Sequence, residues 1–506
     1  MTLDDLEQEL MHLPSAFFTP DGDPSILPTW KIRNAVEGVQ IFGGIGSGKT
    51  SGSGRTLALK YLNAGFGGLV LTVKPDEVKL WEEYCRIAGR SKDLVIIKEG
   101  GDVRFNFLEY ESAMHAGAIS QNLHHVLKTV INASADKSGG NSKDPFWDDA
   151  LDMVLVNLID LCLLAYDRVT IQDLYDIAQS LPQKPMGMPA ASRLQTNQSA
   201  KKITAFERAF DAAEAHSKET KDPLIEWRFK VLKEFFEGRY STLADRTRSV
   251  IDFSLSGFLF RLLSEPVFSL FCKDASTVTP DDCRTGKIIV VDLPVKIYHK
   301  IGRDSQIMFK YIWQRAMERT NATSPESRVA FLWADEAQHF IHELDADFQA
   351  TARSSQVATV YLTQNLPNYF ANMGGSKYRY RTQSFLGTLA TKIFHANADI
   401  ETNEYASGLI GMIPKVQRDE SFSDGDDNSS EGMSFRMQYE PAVRVSEFPG
   451  LINGGKSNDF EVEAILHFQG NVLKENKSHA RVFFHQYFVP VKKSKKLDTG
   501  QSRQTE

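Results

Sequence analysis

A chain of 506 residues exceeds what one ordinary hydrophobic core organises, so two or three domains are expected. Its 42 % hydrophobic and 24 % charged residues are ordinary for a soluble globular protein. The formal net charge of −7 and pI near 6.0 exclude a global positive field, so any DNA contact must come from a local basic surface, such as an oligomer's pore.

In chain order, residues 1–35 read as an acidic N-terminal extension without the apolar core of a signal peptide. Residues 39–42 form an apolar run leading straight into 43–50, GGIGSGKT, and a helical pattern starts at Arg55. A phosphate-binding P-loop demands this strand–loop–helix context, because backbone N–H groups and the helix N-terminus must face the phosphates. Gly43, Gly44, Gly46 and Gly48 let the backbone pass close to an anion where a Cβ would obstruct it. Together with Ile45, Ser47 and Ser51 they form the expected nucleotide cradle. Lys49 is placed to reach the β- and γ-phosphates, and Thr50 can offer its hydroxyl to Mg²⁺. The expected ligands are ATP and Mg²⁺.

Further β-like runs follow at 69–73 and 94–97, separated by helical patterns, which predicts a parallel α/β sheet. Such runs then vanish from about 110 to 285, where helices are expected near 148–166, 203–216, 224–237 and 242–264. The most apolar stretch, 150–166, is bordered or interrupted by Asp149, Asp152, Asp160 and Asp167. Each aspartate would cost about 2.5–3.5 kcal/mol near a bilayer centre, and at helical spacing all four share one face, so an amphipathic core helix is predicted. Cys85, Cys162, Cys272 and Cys283 lack metal-ligand spacing and read as isolated reduced thiols.

The sheet pattern resumes at 287–292, 329–333, 357–363 and 391–396. The economical reading is one P-loop domain, 36–110 and 285–490, interrupted by an all-α domain at 111–284 large enough to hold its own core. Residues 328–336, RVAFLWADE, have the form of a strand delivering two carboxylates at its C-terminal end. Asp335 would hold Mg²⁺ through water, and Glu336 would orient or deprotonate the attacking water. Gln364, just past the next strand, is a candidate γ-phosphate sensor; Arg353, before that strand, lies too far from its own subunit's phosphates and could serve a neighbour's. Residues 418–432 are acidic and poor in apolar side chains, predicting a mobile loop, and 491–506 predict a flexible tail.

Taken together, FGGIGSGKT, LVLTVKPDEV with Lys74 and Asp76, FNFL at 105–108, Phe146-Trp147, KIIVVDLP, FLWADEAQHF, the arginine eleven residues before Gln364, and the segments at 391–411 and 447–455 resemble the TraG/TraD-type coupling ATPases of conjugation and type IV secretion. These belong to the FtsK–HerA branch of P-loop translocases. The resemblance implies a RecA-like motor with an all-α domain, hexamerising around a channel. It also implies Arg353 as a trans arginine finger, Gln364 as sensor and Lys74 near the phosphates. Expected partners are DNA, single- or double-stranded, or a relaxase–DNA complex, and secretion-channel components. The expected location is cytoplasmic, reaching the inner membrane through partners. Two departures stand out: the family's usual N-terminal transmembrane helices have no counterpart, and Gln356 stands where a glycine is common. The alternatives are a HerA-like DNA translocase of defence or DNA processing, and a nucleotide-gated cargo adaptor.

Overall fold

The computed structural model describes residues 6–12, 29–114, 119–134, 145–182, 203–342 apart from 321, 323 and 325, 344–373, 377–425, 428–470 and 478–487. Every strand expected from the apolar runs is present. They are β3 (Val39–Phe42), β4 (Gly67–Leu71), β5 (Leu94–Lys98), β6 (Ile288–Asp292), β7 (Ala330–Ala334), β8 (Val357–Thr363) and β9 (Thr391–Phe394), numbered after a short N-terminal hairpin, β1 (Glu9–His12) and β2 (Thr29–Lys31). With β12 (Glu461–Phe468) and β13 (His479–His485) they make a nine-stranded sheet in the order β13-β12-β9-β3-β8-β7-β4-β6-β5. All neighbours from β9 to β5 pair in parallel, while β12 runs antiparallel to both β9 and β13. The fold is the expected α/β class with a mainly parallel sheet.

The central strands are apolar on both faces because both are covered. One face buries Val39, Ile41, Val70, Val290, Phe331 and Trp333 against the helices Arg55–Asn63 and Glu77–Ile87. The other face presents Phe42, Leu71, Val291 and Leu332. That second cluster runs on without a break into Leu155, Leu158, Leu174, Phe206 and Phe236. The residues expected to form a separately cored insertion therefore share one continuous apolar core with the sheet.

Between 107 and 271 every described element is helical: Phe107–Met114, Ile119–Ser134, Pro145–Tyr166, Ile171–Ala178, Ala205–Thr220, Pro223–Lys233 with its π-helical continuation Glu234–Tyr240, Asp245–Leu262 and Val267–Phe271. Local sequence fixes several starts. The Thr204 hydroxyl accepts from Glu207 N while the Glu207 carboxylate accepts from Thr204 N, and Asp222 caps the helix that opens with Pro223. Glu111, fully buried, lies 3.6 Å from Arg315 and 3.3 Å from Arg319 of helix Val295–Arg319, tying the helical region to the motor. No described helix is long and apolar enough to cross a membrane.

Three expectations need correction or addition. In the segment 418–432, expected as a structureless loop, the described residues 418–425 and 428–432 form the outer end of a two-stranded ribbon, β10 (Met412–Gly425) and β11 (Asn428–Pro441), in unbroken register from Met412↔Pro441 to Gly425↔Asn428. Apolar side chains at its root, including Val416, Phe435, Met437 and Tyr439, start a ladder that polar residues extend, because ladder bonds need only backbone. The N-terminal extension is not peripheral: Met11 and Trp30 are buried, and Trp30 stacks on Tyr61 at 6.2 Å. The expected tail, 491–506, lies outside the described residues.

Candidate nucleotide site

Gly43 N donates to Thr363 O and Gly44 N to Ala396 O, so the loop leaving β3 is threaded between the ends of β8 and β9. Gly46 and Gly48 adopt φ of 73° and 81°, and a Cβ on Gly48 would fall 2.6 Å from Val462 of β12. Only glycine satisfies both demands at 48. The chain then enters a π-helical turn, Thr50–Gly54, and continues as helix Arg55–Asn63. Beneath the loop, His395 contacts Ser53 Oγ through Nε2 at 2.7 Å and Glu463 O through Nδ1 at 3.1 Å. Burial lowers its pKa to about 4, despite the Glu463 carbonyl, so the imidazole is neutral, and the Ser53 hydroxyl it contacts also lies 3.2 Å from Lys49 O as a donor.

The two carboxylates delivered by β7 take different partners. Asp335 Oδ2 accepts from Thr50 Oγ1 at 2.8 Å, and its Oδ1 accepts from Glu336 N at 2.9 Å. Glu336 sits at φ 50°, a left-handed backbone that L side chains rarely adopt, which turns its carboxylate into the cleft's centre. There its oxygens receive Gln338 Nε2 at 2.9 Å and Gln364 Nε2 at 3.2 and 3.3 Å, with Lys49 Nζ at 3.7 Å and Lys74 Nζ at 3.8 Å. Burial opposes ionisation, but the Gln338 amide, Lys49, the Gln364 amide and Lys74 outweigh it, holding Glu336 below the usual carboxylate range. An ionised carboxylate between two cations and two amides can accept a proton or hold a water. Gln364 is itself anchored, since its carbonyl accepts from Asn397 Nδ2 at 2.7 Å.

Lys49, Lys74, Thr50, Asp335, Glu336 and Gln364 are thus brought together. Glu77 joins them unforeseen: its Oε2 accepts from Val73 N at 2.7 Å and its buried Oε1 has no partner. Burial, reinforced by Asp335, raises its pKa to about 8, so it is largely protonated at neutral pH. In the sequence it is only the first residue of a helix, and nothing local marks it.

Arg353 is not in this cluster. It precedes β8, whose seven residues span about 23 Å to the Gln364 end, and its exposed guanidinium pairs only loosely with Glu37 at 3.5 Å. The loop behind it is fixed by a residue that the sequence did not single out. Arg284, buried, donates to the carbonyls of Ser355, Gln356, Met317 and Arg328. Gln356 adopts φ 51°, so the position where glycine is common does require the left-handed backbone, and glutamine is held in it.

The loop, Ser51, Arg55, Lys74, Leu80, Glu83, Tyr84, Glu336, Gln364, Gln486 and Tyr487 line a cleft of about 690 Å³. A polyphosphate and its divalent cation fit this donor set. Ser47 Oγ is buried without a partner, Lys49 and Lys74 offer cationic charge, and the Thr50 hydroxyl beside Asp335 is an oxygen pair suited to hard cations. Among the described residues no cluster of three or more His, Cys, Asp or Glu side chains could hold a metal ion.

Residues 328–451 match the family described as the TraM recognition site of TraD and TraG. The fold is similar to that of the bacterial conjugative coupling protein TrwBdeltaN70 in an unbound monoclinic form, with TM-score 0.58 and 14 % identity over 90 % of this chain and 86 % of that one. Plasmid coupling protein TrwB in complex with ADP and Mg²⁺ gives 0.55 and 14 % over the same shares, and its complex with a non-hydrolysable GTP analogue gives 0.54 and 15 % over 90 % and 88 %. No curated protein matches. The TraG/TraD-type resemblance carried by the sequence is borne out.

Proposed function

We propose that this protein is a Mg²⁺-dependent ATPase of the coupling-protein type, which works as a ring, most simply a hexamer, and uses hydrolysis to move DNA or a relaxase–DNA complex toward a secretion channel. The observation that carries the reading is the meeting of Glu336 with Gln364, Lys49 and Lys74, beside an Asp335 already bonded to Thr50. In this reading Lys49 and Lys74 bind the β- and γ-phosphates, and Ser47, Ser51 and the loop N–H groups cradle them. Thr50 and Asp335 would hold Mg²⁺, which would neutralise phosphate charge. Glu336 takes the proton of the attacking water, and Gln364 both orients that water and couples the γ-phosphate to β8. Arg353 serves the nucleotide of the next subunit, and the helices of 111–284 dock cargo. The protein works in the cytoplasm, at the inner membrane through its channel partners.

The likeness to TrwB, whose structures hold nucleotides, supports this assignment. The test is the ATPase rate of the intact chain with and without single- and double-stranded DNA, alongside Lys49→Ala. Mg²⁺-dependent turnover stimulated by DNA and lost in Lys49→Ala is expected. Normal ATP binding without turnover under any condition would instead favour a nucleotide-gated adaptor.

A further inference from the structure

We propose that Tyr487 is the platform on which the nucleobase stacks, and that the cleft takes purine nucleoside triphosphates by the face of the base without discriminating adenine from guanine. This rests on the nucleotide reading above and adds its base subsite. The cleft has a direction. Lys49, Lys74, Glu336 and Gln364 gather at the end where the γ-phosphate belongs, so the α-phosphate and nucleoside must leave past Ser51. Beside Ser51 the cleft wall carries Gln486, which bonds the Ser51 hydroxyl, Arg55, which bonds the Gln486 carbonyl, and the next residue, Tyr487.

Gln486 is fastened there on every side. Its Nε2 donates to Ser51 Oγ at 2.7 Å, its Oε1 accepts from Gly455 N at 2.9 Å, its carbonyl accepts from Arg55 Nη1 at 2.8 Å, and its N donates to Phe460 O at 3.0 Å. A residue so held fixes where its successor emerges. Tyr487 N donates to His485 Nδ1 at 3.1 Å, and the Tyr487 ring meets Phe460 edge-to-face, centroids 4.7 Å apart at 79°. Phe460 reaches that position through two successive left-handed residues, Asp459 at φ 50° and Phe460 at φ 60°. Strained backbone of this kind persists only where the surroundings over-determine it. The braced tyrosine is nevertheless 64 % exposed, on the wall of the cleft.

The polar side chains nearby are already committed: the Gln486 amide to Ser51 and Gly455, Arg55 to the Gln486 carbonyl, and Glu83 to a bidentate pair with Arg86. A rigid, exposed aromatic binds through the π-face that every base offers.

Calorimetric titration of the full chain with Mg-ATP, Mg-GTP and Mg-tripolyphosphate tests this, comparing wild type with Tyr487→Ala, Tyr487→Phe and Tyr487→Trp. Tyr487→Ala should weaken ATP and GTP alike, on the order of tenfold, and leave tripolyphosphate unchanged. The Phe and Trp variants should stay within about twofold of wild type, since both keep the face. ATP affinity unchanged in Tyr487→Ala overturns the platform, and equal loss of tripolyphosphate shows a merely structural residue. Wild-type preference of tenfold or more for one purine overturns base tolerance. A wild-type chain that binds neither ATP nor tripolyphosphate sinks the nucleotide reading itself, which no Tyr487 variant could do.

Discussion

At the C-terminal end of β8, Gln364 gives its amide to Glu336 and its carbonyl to Asn397, and the neighbouring Thr363 hydroxyl donates to Gln338 at 2.8 Å. At the N-terminal end, Arg353 projects with 56 % of its side chain exposed and, among the described residues, a loose contact to Glu37. The backbones do not differ in this way, because Arg284 fixes the carbonyls of Ser355 and Gln356, at 2.5 and 3.3 Å. One end of the strand is finished within the chain; the other is a rigid mount for an unspent charge. A surface ion pair is worth about 0–1 kcal/mol, so surrendering Glu37 to meet a phosphate costs little. The asymmetry suits a site completed by a neighbour.

The largest effect that could break this comparison lies at the open end. Arg353→Ala should bind ATP normally but lose about 10³-fold or more in turnover, the range of known arginine fingers. Mixed with Lys49→Ala, it should regain ATPase at interfaces that combine one intact half from each. Mixed rings that form without recovering activity would return Arg353 to an ordinary surface role.

At the finished end, Glu336→Gln should retain ATP affinity and lose on the order of 10²-fold in single-turnover hydrolysis, as removal of a general base does. The amide oxygen can still accept from Gln364, so the side chain stays anchored in the cleft while basicity is lost, although its NH2 cannot accept from Gln338. Near-normal hydrolysis would assign the water to another group.

A smaller effect concerns Glu77, beside the same carboxylates. Its folded pKa of about 8 stands above the usual 4.5, because burial and then Asp335 disfavour its anion. Between those pH values the folded chain holds a proton that the unfolded chain releases, so stability falls as pH rises through the window. In nucleotide-free protein, Glu77→Gln should therefore match wild type near pH 5 and melt a few degrees higher near pH 8. Equal melting curves at both pH values would mean that Glu77 is not buried as a neutral acid.

What the sequence disclosed and what it hid follow the same division. The P-loop and Asp335-Glu336 were legible because phosphate and metal chemistry fixes residue types over a few consecutive positions, and central parallel strands are continuous apolar runs. β12 was not: EVEAILHF carries Glu463 and His467, and only packing reveals that Val462 fills the space left by Gly48 and Gly52. Arg284 and Tyr487 are single residues whose meaning comes from distant partners: Arg284 binds carbonyls 33 to 72 positions away, and the Gln486 that places Tyr487 is tied to Ser51, 435 positions away. Glu77 bonds Val73 only four positions away, but its burial beside Asp335 is set by packing. Composition misjudged 418–432, since a polar segment can continue a ladder begun by its flanks.

The smallest predicted effect sharpens the comparison at the mount itself. Gln356 is held left-handed at φ 51°, a conformation costing about 1–2 kcal/mol for an L residue, and its buried Oε1 has no partner. Its N donates to Arg353 O at 3.1 Å and its O accepts from Ala330 N and from Arg284 Nη1, each at 3.3 Å, so backbone and Arg284 fix the loop without the Gln356 side chain. Glycine removes the strain and the orphaned oxygen but adds about 0.5–1 kcal/mol of unfolded-chain entropy, for a net gain of about 0–1 kcal/mol. Gln356→Ala also removes the orphaned oxygen but keeps the strain. Urea midpoints should therefore rank Gln356→Gly at or above wild type and above Gln356→Ala, with ATPase unchanged in the glycine variant. A glycine variant less stable than the alanine one would show that the left-handed turn is not what strains the Arg353 loop.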